Sequence, residues 1–298
     1  MSFAQRLSRG VLVLDGGLAT ELAARGHDLG DPLWSARLLL DAPEAIVEVH
    51  RAWLRAGADV ITSASYQASL PGLRARGLDR DAAIAVLRDA VALARRACAL
   101  ERPDAIVAAS AGSYGAMLAD GSEYTGAFGA IDDDALVQFH RERLPGFADA
   151  DVIAFETIPS AREAAAIARA LAGHRGPPAW LSLQLREPGH SGAGDALEAC
   201  VDAIAACPAI VAIGVNCCDP EHVAPALTRL RSRTALPLLA YPNAGERYDA
   251  HARCFVGHAR TPAELAALAG RWIAAGARMV GGCCRTGPVD IAALAAVR

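Results

Sequence analysis

The sequence predicts an α/β chain folded as a single-domain (β/α)8 barrel of the TIM type over residues 1–298. Three observations carry that prediction. Eight short apolar runs recur along the chain, each followed by a stretch with helical spacing. The runs are apolar at consecutive positions, as strands are when a parallel sheet buries both their faces. Polar residues gather at the C-terminal ends of the runs, where a closed barrel assembles its active face. The competing fold is an open doubly wound sheet, which usually shows a glycine-rich dinucleotide turn after its first strand. Here that turn reads DGGLAT over 15–20, without the G-x-G-x-x-G spacing.

In order, the runs are 11–17 (VLVLDGG), 59–65 (DVITSAS), 105–113 (AIVAASAGS), 151–158 (DVIAFETI), 179–185 (AWLSLQL), 210–218 (IVAIGVNCC), 237–243 (PLLAYPN) and 279–284 (MVGGCC). Between them, Ile46, Val49 and Trp53 share one helical face, as do Ile167 with Leu171, and Leu265, Leu268 and Trp272. Pro43, Pro220 and Pro262 fall near expected helix starts, where a missing amide hydrogen is harmless. The segments AGADV, DADV and AGARM precede the second, fourth and eighth runs and echo one another, a hint of repeated βα units. No composition break marks a linker.

Composition narrows the function. The chain is 53% hydrophobic and 21% charged, so it can bury a large core and is not disordered. Its net charge of −4 offers no basic excess for nucleic acid. All 29 fixed cations are arginine. Without a lysine amine, Schiff-base aldolase chemistry, pyridoxal-phosphate catalysis and a phosphate-loop nucleotide hydrolase are excluded. Arg6 and Arg9 are followed by no apolar stretch of signal-peptide length. The longest uncharged run, 203–218, is broken by Pro208 and Asn216, short of the ~18 apolar residues of a spanning helix. A soluble, cytoplasmic protein without membrane contact is expected.

The 8 cysteines are expected to be thiols rather than a disulfide framework. Cys98, Cys200, Cys207 and Cys254 lie in helical or loop segments and read as small buried hydrophobes. Cys217 and Cys218 end the sixth run, and Cys283 and Cys284 end the eighth. Barrel closure would bring the two pairs to one mouth, where three thiolates and one exchangeable ligand make a tetrahedral zinc arrangement. A metal held by three sulfurs carries a formal charge of −1. That suits it to activating an incoming thiol rather than water. The bland alternative is a closed structural site with Cys218 as fourth ligand. Asp15 and Glu156 end the first and fourth runs, and two carboxylates in such a mouth would attract an ammonium group. Asp15 could instead stabilise its own turn. Gly16 and Gly17 could turn backbone amides toward a carboxylate. A cysteine-like amino acid fits the whole set.

These residues resemble the homocysteine S-methyltransferase family. The likeness lies in LDGGLATEL (14–22), AGADVITSASYQAS (56–69), FETIPS (155–160), GVNC (214–217), YPNAGERYD (241–249) and GGCCRTGP (281–288), and runs nearly end to end. YGAMLADGSEYTG (114–126) looks like the stand-alone bacterial branch that uses S-methylmethionine rather than the betaine-using one. The resemblance implies a zinc-bearing barrel in which Cys217, Cys283 and Cys284 bind one zinc and Asp15 and Glu156 hold the homocysteine ammonium. It implies an Asn243 near the metal, occupying the open position until substrate arrives. Cys218 departs from the family pattern, and the Asn-Cys order favours Cys217 as the ligand. The implied reaction moves a methyl group from S-methylmethionine to homocysteine, giving methionine, with S-adenosylmethionine or betaine as other donors. No side chain need act as base. The donor sulfonium would rest over an aromatic face such as Tyr66 or Tyr114.

Overall fold

Eight parallel strands form the centre of a computed structural model that describes residues 2–28, 37–249 and 254–298. They are β1 (Leu12–Val13), β2 (Val60–Thr62), β3 (Ile106–Gly112), β4 (Val152–Ile158), β5 (Ala179–Leu183), β6 (Ile210–Asn216), β7 (Leu238–Tyr241) and β8 (Ala277–Val280). Each predicted run contains or overlaps one of them. The ladders join β2 through β8 consecutively, and β8 then pairs with β1. Closure between β1 and β2 is made by Leu14 bridging Val60, with the Asp59 amide donating to the Val13 carbonyl at 2.7 Å. The result is the expected (β/α)8 barrel.

Both faces of the strands are packed, which is why the runs read as continuously apolar. In β4, Val152 and Ala154 point into the barrel with Leu12, Val60, Ala108, Trp180, Leu239 and Met279. Their neighbours Ile153 and Phe155 face the helices, in the larger cluster that includes Trp53, Leu87, Leu227 and Trp272. A short helix, Phe3–Arg9, closes the N-terminal end by adding Phe3 and Leu7 to the inner cluster. The Phe3 ring lies 5.5 Å from that of Trp180.

The main outer helices are α1 (Pro43–Arg55), α2 (Arg80–Glu101), α3 (Asp133–Arg141), α4 (Ala161–Ala170), α5 (Leu197–Ile204), α6 (Pro220–Arg233), α7 (Pro262–Ala274) and α8 (Pro288–Ala295). Pro43, Pro220 and Pro262 each occupy the first helical position. The predicted faces Ile46, Val49, Trp53 and Leu265, Leu268, Trp272 are buried.

The echoed segments are structural equivalents. Asp59 and Asp151 each accept from the amide of the second residue of the preceding strand, Val13 N at 2.9 Å and Val107 N at 2.8 Å. Gly57 and Gly276 share a left-handed backbone, φ 104° and 103°. Two small antiparallel ribbons, Leu185–Glu187 with His190–Ser191 and Arg247–Asp249 with Cys254–Val256, decorate the loops after β5 and β7. Neither was predicted, because segments this short have no usable period. Among the described residues, no helix is long and apolar enough to cross a membrane.

Candidate active site at the mouth of the barrel

Cys217, Cys283 and Cys284 converge where β6 and β8 end. Their three sulfurs lie within 4.8 Å of one another, and Cys217 Sγ is 3.9 Å from Cys284 Sγ. A tetrahedral ion with bonds of about 2.3 Å needs sulfurs roughly 3.8 Å apart, so the donor set fits zinc in number, softness and spacing. The backbone is arranged to bring them there. Cys217 is left-handed, φ 50°, and so is Thr157 at the end of β4, φ 57°. A non-glycine residue held so costs on the order of 1–2 kcal/mol. Asn216 holds both positions in place, accepting from Thr157 N at 2.8 Å and donating to Thr157 Oγ1 at 2.9 Å. Opposite, a Cβ on Gly17 would sit 2.5 Å from the Cys283 carbonyl oxygen. Only glycine lets β1 and the Gly281–Cys284 segment approach this closely.

Cys218 turns the other way. It is buried in the helix-facing core and burial raises its thiol well above the ordinary range. It lies outside the three-sulfur group. Cys98 and Cys200 are buried helical thiols pushed up by desolvation to about 11 and about 12, which makes them unreactive. Cys207 is half-buried in a loop, and the Cys254 side chain lies outside the described residues. Cys217 differs from these: hydrogen bonds from Cys283, then Cys284, hold its thiol below the usual range.

Asp15 and Glu156 are 2% and 8% exposed; the Asp15 carbonyl accepts from Gly282 N at 3.1 Å, next to Cys283, and Glu156 lies within electrostatic reach of Cys217. Asp15 accepts from Thr62 N at 2.7 Å and from Thr62 Oγ1 at 2.9 Å. Burial nevertheless raises its carboxyl well above the normal range, and Glu156 adds to the rise. Glu156 accepts from Ser110 Oγ and is raised by burial to about 7. Behind it, Ser63 and Ser65 share a hydrogen bond of 2.7 Å, and Ser63 Oγ accepts from Ser110 N at 3.1 Å. That serine chain fixes the carboxylate's direction. Among the described residues, neither acid has an arginine partner. They form a destabilised acidic pair that a cation would relieve.

The glycine turn is used differently from expectation. The Gly17 amide donates to the Thr286 carbonyl at 3.2 Å, so it is not offered to a ligand. A Cβ on Gly16 would sit 2.6 Å from the Trp53 ring. The turn therefore serves close approach of β1 to its neighbours. Asn243 follows β7 with its backbone amide donating to the Cys218 carbonyl at 3.0 Å; its side chain donates to Cys217, and its Oδ1 is buried without a partner among the described residues. An orphaned oxygen beside three sulfurs suits a position next to a metal.

Of the two aromatic candidates, Tyr114 is a packing residue. Its ring meets Phe139 and Phe128 edge-on at 5.1 and 5.7 Å. Tyr66 lies in the mouth, within the electrostatic reach of Glu123, Cys217 and Glu156. Two mouth residues had no sequence signal that singled them out. The single turn Ser122–Tyr124 in the β3–α3 loop places Tyr124 Oη 3.7 Å from Cys217 Sγ and sets Glu123 alongside.

Comparison with known proteins agrees with this geometry. The chain matches the family model described as homocysteine S-methyltransferase over residues 12–298. It is 46% identical over 294 residues to the homocysteine S-methyltransferase of Escherichia coli (strain K12), covering 96% of this chain and 94% of that protein. It is 41% identical over 304 residues to a selenocysteine Se-methyltransferase of Brassica oleracea var. italica, covering 96% and 88%. The crystal structure of the E. coli homocysteine methyltransferase MmuM in its metallated form superposes with a TM-score of 0.88 at 42% identity, covering 99% of each chain.

Proposed function

This chain belongs to the homocysteine S-methyltransferase family, and from that premise we propose that it transfers a methyl group from S-methylmethionine to the sulfur of L-homocysteine, with one zinc ion held by Cys217, Cys283 and Cys284. The observation that carries the reading is the meeting, at one mouth, of three sulfurs at metal spacing with two buried acids that have no cation partner among the described residues. Zinc bound there supplies the positive charge that keeps a fourth, incoming thiol ionised at neutral pH.

The chain's own residues do the rest. Asp15 and Glu156 take the homocysteine ammonium, steered by Thr62 and Ser110. Of the two glycine amides, Gly17 N is taken by Thr286, so that of Gly16 is assigned to the homocysteine carboxylate. The Asn243 side chain occupies the space beside Cys217 until the substrate sulfur enters. The homocysteine sulfur then attacks the donor methyl carbon in line. The carbon–sulfur bond of the donor breaks with its electron pair left on that sulfur, and two methionines result. The homocysteine thiol proton passes to solvent before the transfer, so no side chain acts as base in that step. The barrel walls hold the two sulfurs in line and exclude water.

Loop 114–126 favours S-methylmethionine over betaine, and S-adenosylmethionine is the second sulfonium to test. The Brassica relative is named for a selenol acceptor. Selenol and thiol share the softness that this donor set selects. A closed four-cysteine site is disfavoured by Cys218's place in the core. The test is a donor panel with purified protein and homocysteine, scored by methionine formed, with zinc quantified in the same samples. S-methylmethionine is expected to be fastest, and Cys283→Ala should lose both zinc and turnover. Zinc-replete protein that makes methionine from none of the donors would refute the reading, as would a fully active Cys283→Ala.

A further inference from the structure

We propose that Glu123 is the specificity residue for the methyl donor, its carboxylate receiving the donor's α-ammonium group; this rests on the sulfonium-donor reading above.

Glu123 sits in the single turn Ser122–Tyr124. Asp120 starts that turn, accepting from Ser122 N at 2.9 Å, and Gly126 N closes it on the Ser122 carbonyl at 2.7 Å. Two glycines let the turn enter the mouth. A Cβ on Gly115 would overlap the Glu123 backbone, and one on Gly192 would lie 2.5 Å from the Tyr124 carbonyl oxygen. The turn ends with Tyr124 Oη at 3.7 Å from Cys217 Sγ, so Glu123 is carried to the edge of the sulfur site.

Once there, Glu123 Oε2 is buried and meets no hydrogen-bond donor among the described residues. The carboxylate takes backbone hydrogen bonds from Glu123 and Gly121, which leaves Oε2 over, and Asp120, Tyr66, Tyr124 and the sulfurs of Cys217 and Cys284 lie within its electrostatic reach. No arginine pairs with it in the described part of the structure. Nearby acceptors are in the same condition. Among the described residues, Gln67 Oε1 has no partner, while its Nε2 donates to the Ala116 carbonyl at 3.3 Å, one residue from the glycine on which Glu123 packs. Gln184 Oε1, against Gly192 on the Tyr124 side, is orphaned too.

Unpaired acceptors call for N–H donors. A sulfonium has none, whereas an α-ammonium has three. Asp15 and Glu156 already serve the ammonium of homocysteine, so Glu123 is left for the second amino acid. The assignment makes a kinetic prediction. The ammonium is unchanged by the transfer, so its contact strengthens donor binding without favouring the transition state.

The test compares wild type with Glu123→Gln, both zinc-loaded and saturated with homocysteine. Each is given S-methylmethionine and its des-amino analogue, 4-(dimethylsulfonio)butyrate. Glu123→Gln should raise KM for S-methylmethionine about tenfold or more, the loss expected for a charge-assisted hydrogen bond. Its kcat should stay within about threefold. KM for the des-amino analogue, the Kd for homocysteine and the zinc content should not move. An unchanged KM for S-methylmethionine, or an equal rise for both donors, overturns the ammonium subsite while leaving the reaction intact. A wild type that methylates homocysteine only from a donor other than S-methylmethionine overturns the donor reading, and the subsite with it.

Discussion

At Glu156, burial and hydrogen bonding act in opposition. Desolvation lifts the acid to about 7 against the pull of Ser110 and Tyr241. A bound ammonium would tip the balance to the carboxylate. Glu156→Gln keeps the shape and most hydrogen bonds but not the charge. It should weaken homocysteine about tenfold or more in a calorimetric titration, with zinc content unchanged; equal affinity would remove Glu156 from the ammonium site. Cys218 supplies the matching control. Cys218→Ser should keep zinc and turnover while losing about 1–3 kcal/mol of stability in urea, because a buried hydroxyl replaces a thiol. Zinc loss in that variant would restore the four-cysteine reading. Much of this scale was legible in the sequence. Strand ends are fixed by the period of the fold, so the cysteines and acids there could be placed around one mouth. Glu123 and Tyr124 could not, since their position depends on two glycines, Gly115 and Gly192, from different loops. Nor could the sequence tell that the Gly17 amide is taken by Thr286.

The loop that carries Glu123 is anchored by a buried polar network between α3 and α4. Arg143 donates twice to the Gly112 carbonyl at 3.1 Å and to His140 Nδ1 at 2.7 Å. With Nδ1 accepting, His140 Nε2 carries the hydrogen and donates to Glu163 Oε1 at 2.9 Å. Glu163 Oε1 also accepts from Tyr114 N at 2.6 Å. Arg143 lies 4.3 Å over the Phe139 ring as well. The network thus ties the end of β3 and the first residue of the loop to two helices. Arg143→Ala leaves Glu163 buried without its nearby cation and should cost about 3–5 kcal/mol, read from urea denaturation. A loss below about 1 kcal/mol would show that the network is not what holds the loop. The helices themselves were readable from their apolar faces and first-turn prolines. Arg143 was not, because an arginine in a polar stretch normally marks solvent, and only the folded arrangement reveals its burial.

Across the whole molecule, closure determines stability as well as chemistry. His50 on α1 is fully buried, and neither ring nitrogen has a partner among the described residues. Desolvation lowers its pKa from 6.5 to about 3. The unfolded chain therefore binds a proton between those values that the native barrel does not, and the barrel loses stability as pH falls below about 6.5. This residue alone contributes about 1.4 kcal/mol per pH unit down to the native value. His140 is depressed in the same direction, again chiefly by burial, and adds to the slope. His50→Leu should flatten the acid limb of stability against pH by about one proton; an unaltered slope would place the ionisation elsewhere. The barrel as a whole was legible because a strand buried on both faces cannot hide in the sequence. Its closing contacts, Leu14 with Val60 and Asp59 with Val13, were not, since they join short segments by backbone alone.

In the proposed site, three sulfurs from two distant segments would grip one zinc and leave room for a substrate's sulfur. X-ray absorption at the zinc edge, on protein with and without homocysteine, tests it most directly. Three sulfur neighbours should become four when homocysteine is added. Four sulfurs from the outset, or a count that homocysteine does not change, would contradict the account.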